Sequence, residues 1–369
     1  MLRVLQVIGK MDRAGAETML MNIYRNVDRS KVQFDFLVFS KDRGDYDDEI
    51  EKLGGNIFRL SSFNGYNYIK LKKEIQRFFS EHSYALVHGH MGSLAPVYLK
   101  YAKNKGAYTI AHSHGPNSNV FTERLVYGFF AYNVRYVADY FMACSLQAGT
   151  DRFGKKIVSS DRFRIVKNSI DSKKYRYTTE RHIKLKKQFG MQEKTVYGHI
   201  GRFINSKNHD FLIQVFEKIA VQNQNSVLVL VGKGEEEERI KLCVQEKGLC
   251  DKIKFLGVRS DIPDILNMMD AFIFPSYYEG LSVVGVEAQA AGLTCFFSEG
   301  IVDEAIITNH VWKYSLDSGP EKWAENIIRE MDKFQRSDSY DQIKIAGFDI
   351  IETAHSMEKF YIDKGESRK

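Results

Sequence analysis

Two stretches of the chain carry residues able to hold a diphosphate and the sugar attached to it. Gly201-Arg202-Phe203-Ile204-Asn205-Ser206-Lys207-Asn208 follows the apolar run Val196–Ile200. Arg202 and Lys207 stand five apart across a strand-to-helix turn, so both cations can reach the crevice above a sheet. A guanidinium that grips oxygens two at a time, beside a lysine point charge, suits a diphosphate; a surface cation pair is the plainer alternative. Glu279-Gly280-Leu281-Ser282-Val283-Val284-Gly285-Val286-Glu287 places two carboxylates eight apart. Ser282 can cap a helix there, and the free amides of Gly280–Val283 make an anion site beside it. Glu279 falls on the loop and Glu287 two turns into the helix, where carboxylates accept hydrogen bonds from sugar hydroxyls. Glu287 could be an ordinary exposed helix residue. Its neighbours Val283, Val284, Val286, Ala288, Ala290 and Ala291 instead predict burial, and a buried glutamate needs a partner.

Weaker candidates lie in the first half. The turn from Gly9 to Glu17 has Gly15 at a helix start, where backbone can approach a ligand. It is neither GxGxxG nor a Gly-Lys-Ser/Thr loop, which removes the main support for nicotinamide binding and NTP hydrolysis. His88-Gly89-His90 and His112-Ser113-His114 each end an apolar run, with imidazoles pointing toward a crevice. Either HxH could belong to a metal site, but neither has a third ligand of matching placement, and a satisfied structural histidine is the default for His88. The four cysteines, Cys144, Cys243, Cys250 and Cys295, show no CxxC or zinc spacing and read as reduced thiols. No metal and no cofactor is expected.

The elements that must position these residues alternate. Strands are predicted at Leu2–Ile8, Phe34–Phe39, Asn56–Leu60, Ala85–His88, Tyr108–His112, Tyr140–Ala143 and Phe163–Val166. Helical stretches at Ala16–Tyr24, Tyr46–Leu53, Ile69–Phe79 and Ser93–Asn104 lie between them. After a lysine-rich bridge, Asp171–Glu193, with no sustained apolar pattern, the rhythm restarts. Strands at Val196–Ile200, Val227–Val231, Ile253–Leu256, Ala271–Phe274 and Thr294–Phe297 enclose helices at Asp210–Val221, Glu236–Lys247, Ile262–Met268 and Ser282–Ala291. The fold class is therefore α/β, with two doubly wound parallel-sheet domains. A cleft between them is the natural place for a two-substrate reaction.

The bulk properties agree. A chain of 369 residues exceeds one ordinary core, and 44% hydrophobic with 27% charged residues is globular composition. The apolar run within Met1–Met11 is too short for a signal peptide, and no stretch of about 18 apolar residues follows. A cytoplasmic protein is expected. The net charge of +6 is uneven: residues 1–175 hold 27 Lys+Arg against 17 Asp+Glu, and residues 176–369 hold 26 against 30. A basic first half suits an anionic partner such as lipid head groups or a diphosphate-bearing acceptor. Nucleic acid lacks support, with no arginine-rich run, zinc finger or RNP-like signature. The aromatic stretch Phe121–Tyr136 could form a surface for apolar ligand or lipid.

GAET after the first strand, the GRF…K loop, VGKGEEEER, LGVRSDIP and PSYYEGLSVVGVEAQAAG together resemble glycosyltransferase family 4 over nearly the whole chain. AHSHG and FMACS are similar to members that build bacterial capsular or exopolysaccharide units. The resemblance implies the GT-B architecture: two Rossmann-like domains facing across a cleft. Residues 1–172 plus a crossing helix at about 348–369 would bind the acceptor, and residues 173–347 the nucleotide sugar. It implies a retaining, metal-independent hexosyltransferase-type enzyme using a nucleoside-diphosphate sugar, with UDP the default by analogy. Arg202 and Lys207 would hold the diphosphate, Glu279 the transferred sugar and Glu287 the ribose. Gly280, Leu281 and Ser282 would fix sugar and phosphate through main-chain groups, and Val258 would lie beside the base. Gly15 would let the first domain close over the donor. His112 would meet the sugar or acceptor near the reacting centre, with His90 and His114 toward the acceptor. Ala14 and Ser282 stand where the family often has glycine and proline.

The implied acceptor is a polyprenyl-diphosphate-linked or other glycan, with possible peripheral contact to an anionic inner membrane face. Two readings from other classes remain: a catalytically silent partner that binds a sugar nucleotide or scaffolds a polysaccharide assembly, and a sugar-nucleotide epimerase of the same architecture.

Overall fold

Alternation of short β-branched runs with amphipathic stretches produces two parallel sheets in this chain, each covered by helices. The structure, a computed structural model, describes residues 1–115 and 132–366. It divides into two compact units, one of Met1–Ser169 with the chain from Ile350 onward, the other of Ile170–Asp349.

In the first unit the strands are β1 (Leu2–Ile8), β2 (Val32–Val38), β3 (Ile57–Arg59), β4 (Leu86–Gly89), β5 (Tyr108–Ser113), β6 (Tyr140–Ala143) and β7 (Phe163–Ile165). Their order is β3-β2-β1-β4-β5-β6-β7, with every pair parallel. Side chains alternate between faces along a strand, so β1 serves two cores. Val4 and Ile8 pack with Met19, Leu20 and Tyr24 of the helix Gly15–Asn26 and with Ala354, Met357 and Tyr361 of the helix Ile350–Glu366. Leu5 and Val7 pack with Leu71, Ile75 and Phe78 of Tyr68–Glu81 and with Tyr98 and Leu99 of Ala95–Asn104.

In the second unit the strands are β8 (Thr195–Ile200), β9 (Ser226–Val231), β10 (Ile253–Phe255), β11 (Ala271–Phe274), β12 (Thr294–Ser298) and β13 (Val311–Tyr314). Their order is β10-β9-β8-β11-β12-β13, again parallel throughout. All six residues of β9 are buried, as a strand covered on both faces requires. Strand order reverses at β1/β4 and at β8/β11. In open parallel sheets such a reversal opens a crevice at the carboxyl ends of the two strands.

The expected α/β class holds, and two local readings are corrected. The bridge Asp171–Glu193 contains helices at Ser172–Tyr175 and Thr179–Gln188. The second buries only Leu185, which is why no apolar period betrays it. Its N-cap Thr178 accepts from the Arg181 amide at 3.2 Å, and Arg181–Asp264 (2.8 Å) and Lys186–Asp270 (2.7 Å) hold it in place. A sixth strand, β13, follows the five expected, and helices Gly319–Lys333 and Tyr340–Ile345 follow it. Most of the stretch Phe121–Tyr136 lies outside the described residues. At its described end Tyr132 and Tyr136 are exposed, with the Arg135 guanidinium 4.5 Å from the Tyr132 ring centre. Among the described residues no helix is long and apolar enough to cross a membrane.

Candidate active site

At the carboxyl edge of the second sheet, Lys207 and Glu279 form an ion pair through Nζ and Oε1, each side chain about one-sixth exposed. Backbone contacts bring them together. Lys207 ends a turn of 3-10 helix, Asn205–Lys207, closed by Asn208 in the left-handed region (φ 55°), which asparagine tolerates. The Tyr277 amide donates to Ser206 O at 2.9 Å, tying the loop after β11 to that turn. The Glu279 amide donates to Gly300 O at 3.0 Å, tying the same loop to the chain after β12. A Cβ on Gly300 would lie 2.2 Å from Tyr277 O, so only glycine lets these backbones meet. The Lys207 ammonium also lies 5.0 Å from the Phe274 ring centre.

The loop after β8 is stitched to the one after β9. Phe203 N donates to Lys233 O at 3.1 Å, Glu236 N to Phe203 O at 3.0 Å, and Gly232 N to Gly257 O at 2.9 Å. Gly232, at φ 138°, leaves 2.0 Å between a would-be Cβ and Gly201 O. The VGKG run thus holds the backbone that presents Arg202.

Arg202 itself is exposed and makes no side-chain hydrogen bond or ion pair among the described residues. Ser282 is buried and caps the helix Val283–Ala290, accepting from the Gly285 amide at 3.4 Å. Gly280 and Leu281 precede it half-buried; a Cβ on Gly280 would meet nothing within 4 Å. Glu287 lies on that helix, partly buried, and its Oε1 accepts from the Tyr175 hydroxyl at 2.5 Å. Burial pushes its carboxyl up to about 7 against the lowering effect of that hydrogen bond. Val258 is 71% exposed, on the loop after β10. Gly15 opens the helix after β1, exposed and with no atom within 4 Å of a would-be Cβ.

The first unit gathers all four sequence-selected histidines at the carboxyl ends of β4 and β5. His88 Nε2 lies 3.2 Å from His112 Nδ1, and His90 Nδ1 lies 2.8 Å from His114 Nε2. These two dyads stack on each other, with ring centroids 4.3 Å apart for both His88–His90 and His112–His114. His88 is therefore part of the cluster and no isolated core residue. Burial drives the imidazoles of His88, His90 and His112 well below their ordinary range, and His114 down to about 4. His88, His90 and His112 can bring one ring nitrogen each within 4.8 Å of one another, the single grouping of that kind among the described residues. Hydrogen bonds already occupy both nitrogens of His88, with Tyr361 and His112, and of His90, with Gln6 and His114.

Several residues around these sites were not singled out in sequence. Gln6 and Tyr361 contact the histidines, and Tyr175 contacts Glu287. His199 is fully buried below Lys207; its Nδ1 donates to Ile273 O at 2.9 Å, and His209 stacks on Phe203 at 4.3 Å. A polar residue inside an otherwise apolar strand, as Gln6 and His199 both are, is the signal that could have found two of them.

A carboxyl-edge crevice lined by cations, carboxylates and a capped helix start is a setting for anionic, hydroxyl-rich ligands. The family model for glycosyl transferases group 1 matches residues 181–344. EpsF of Bacillus subtilis (strain 168) is 32% identical over 334 residues, covering 89% of this chain and 87% of that one. The capsular polysaccharide biosynthesis glycosyltransferase CapH of Staphylococcus aureus is 24% identical, covering 99% of each chain. Among solved structures, Anabaena HepE in complex with UDP superposes with a TM-score of 0.78 at 19% identity, covering 98% of this chain and 100% of that one, which shows a common fold. The chain belongs to the glycosyl transferases group 1 family.

Proposed function

We propose that this chain is a retaining glycosyltransferase that moves a sugar from a UDP-sugar to an acceptor hydroxyl, with no metal ion required. The acceptor is a polyprenyl-diphosphate-linked or other glycan of capsule or exopolysaccharide assembly. One observation carries the reading: the Lys207–Glu279 pair joins the loop that bears exposed Arg202 to the loop that leads into the helix Val283–Ala290. The bound UDP of HepE and the capsular polysaccharide biosynthesis role of CapH support the donor and the pathway class.

In this mechanism Arg202 grips the diphosphate oxygens and Lys207 turns its remaining N–H groups toward them. The amides at Gly280–Val283 add the positive end of the helix dipole. Charge grows on the departing phosphate as the glycosidic bond breaks, so these fixed donors stabilise the transition state more than the ground state. Glu279 accepts from a sugar hydroxyl and Glu287 from the ribose. The leaving phosphate takes the acceptor's proton on the same face of the sugar, which retains the anomeric configuration. His112, with His90 and His114, meets the sugar or acceptor on the first unit, and Gly15 lets backbone approach the donor. The basic first half suits attachment to an anionic membrane from the cytoplasmic side.

Thermal unfolding against UDP, GDP, ADP and their sugar conjugates tests the donor site. UDP and its conjugates should raise the midpoint, and Arg202→Ala should reduce the effect. A product of inverted anomeric configuration would overturn retention, and no response to any nucleotide would favour a silent scaffold of a polysaccharide assembly. Membrane co-sedimentation that resists high salt would count against electrostatic attachment.

A further inference from the structure

The two histidine dyads of the first unit are wired to a single amide. Gln6, fully buried in the middle of β1, donates from Nε2 to the Tyr361 hydroxyl at 3.4 Å, and its Oε1 lies 2.9 Å from His90 Nε2. One chain runs from Tyr361 to His88 Nδ1 (2.7 Å) and from His88 Nε2 to His112 Nδ1 (3.2 Å). The other runs from His90 Nδ1 to His114 Nε2 (2.8 Å). Each chain ends on a buried nitrogen without a hydrogen-bond partner among the described residues, Nε2 of His112 and Nδ1 of His114.

Burial keeps the four rings neutral, and the positive charge of Arg164 adds to that at His88 and His112. A neutral imidazole donates at one nitrogen and accepts at the other, so a proton placed at one end of a chain sets every proton along it. Gln6 Oε1 accepts from His90 Nε2–H; His90 Nδ1 then accepts from His114 Nε2–H, and His114 Nδ1 is left with a lone pair. Tyr361, receiving from the Gln6 amide, donates to His88 Nδ1; His88 Nε2–H donates to His112 Nδ1, and His112 Nε2 is left with a proton. Turning the amide by half a rotation reverses every one of these bonds, which exchanges the two ends. In neither arrangement do the ends match, because an amide has one oxygen and one NH2 and gives one to each chain.

We infer that Gln6 and Tyr361 are positioning residues that hold His112 and His114 as one hydrogen-bond donor and one acceptor, a pair complementary to a single neutral hydroxyl group. A hydroxyl gives one hydrogen bond and takes one. A carboxylate, which only accepts, faces a lone pair at one end. The inference rests on the glycosyl-transfer reading only where that hydroxyl is taken to belong to a sugar or acceptor; the proton order follows from the hydrogen bonds alone.

Histidine-selective 15N labelling of the full chain and long-range 1H–15N spectra read the tautomers directly. All four rings should share one tautomer, Nε2–H with the amide as described. In Gln6→Glu a carboxylate accepts from both chains, so His88 and His112 should move to Nδ1–H while His90 and His114 stay as they were. Tyr361→Phe should release the His88–His112 dyad from a single tautomer and leave the other dyad unchanged, which provides a second variant if Gln6→Glu unfolds. Mixed tautomers or an imidazolium among the four in the wild-type protein would overturn the wiring, as would Gln6→Glu leaving all tautomers unchanged. Glucose should shift the His112 Nε2 and His114 Nδ1 resonances together, and acetate at neutral pH should not. Acetate moving them, or glucose leaving them in place, would overturn the hydroxyl assignment. None of these readouts needs turnover, so failure of the transfer reaction is distinguishable from failure of the wiring.

Discussion

The Tyr175 hydroxyl donates to Glu287 Oε1 at 2.5 Å, joining the lysine-rich segment before the second sheet to the helix that follows β11. Burial still dominates, and the Glu287 carboxyl stands at about 7. The folded protein then binds a proton there that the unfolded chain, with an ordinary carboxyl, releases at lower pH. That contribution is present below the ordinary carboxyl range and is lost as pH rises through about 7. Glu287→Gln cannot titrate. Its stability relative to wild type should therefore improve between pH 5 and pH 8, by on the order of 1–3 kcal/mol, read from unfolding midpoints at the two pH values. A constant difference would show that Glu287 titrates alike in both states.

Lys207→Ala strips the partner from a carboxylate that is itself mostly buried. Loss of on the order of 1–3 kcal/mol in stability is expected, with a fall on the order of 10²–10³ in transfer rate. Combining it with Glu279→Gln should recover part of the stability and none of the rate, which a double-mutant cycle of both quantities would measure.

Arg202→Ala should behave differently, because that side chain is exposed and unpaired. Its unfolding free energy should stay within about 0.5 kcal/mol of wild type, while UDP affinity falls on the order of tenfold. Calorimetric titration of UDP beside a denaturant curve separates the two.

Gly300→Ala tests whether the loop carrying Glu279 depends on close backbone approach. A methyl group 2.2 Å from Tyr277 O must push the loop away. Destabilisation of about 2 kcal/mol or more is expected, and transfer should drop although no ligand-facing side chain has changed.

Chelation addresses the electrostatics of the leaving group. If Arg202, Lys207 and the helix start supply the whole of the positive field, transfer assayed with EDTA should equal transfer with magnesium. A rate that needs a divalent ion would assign part of that field to metal.

Much of the architecture was legible. Leu2–Ile8, Tyr140–Ala143, Ala271–Phe274 and Ile262–Met268 form the expected elements on the expected residues, because each run is apolar enough to be buried and short enough to be bounded. Thr179–Gln188 was not, since it buries only Leu185. β13 has no fully buried residue, and Gly319-Pro320 opens the next helix with a turn-like pair. At the candidate site, residue types and their place after strands could be read directly. The pairing of Lys207 with Glu279 could not, because it depends on amides of Tyr277 and Glu279 finding Ser206 O and Gly300 O. The joining of four histidines through Gln6 and Tyr361 lay equally out of reach, spanning β1, β4, β5 and the final helix.

That final helix has a consequence for the order in which the protein can be made. Ile350, Ala354, Met357 and Tyr361 belong to the same core as Val4, Phe34 and Phe36, yet they leave the ribosome only after the whole second unit. The second unit can fold on a nascent chain as soon as its own residues emerge. The first must wait with one face of its sheet covered only in part, by the helix Gly15–Asn26, and Gln6 with no tyrosine to meet. Chains cut short before Ile350 should therefore keep a folded second unit and be captured by chaperones through the first.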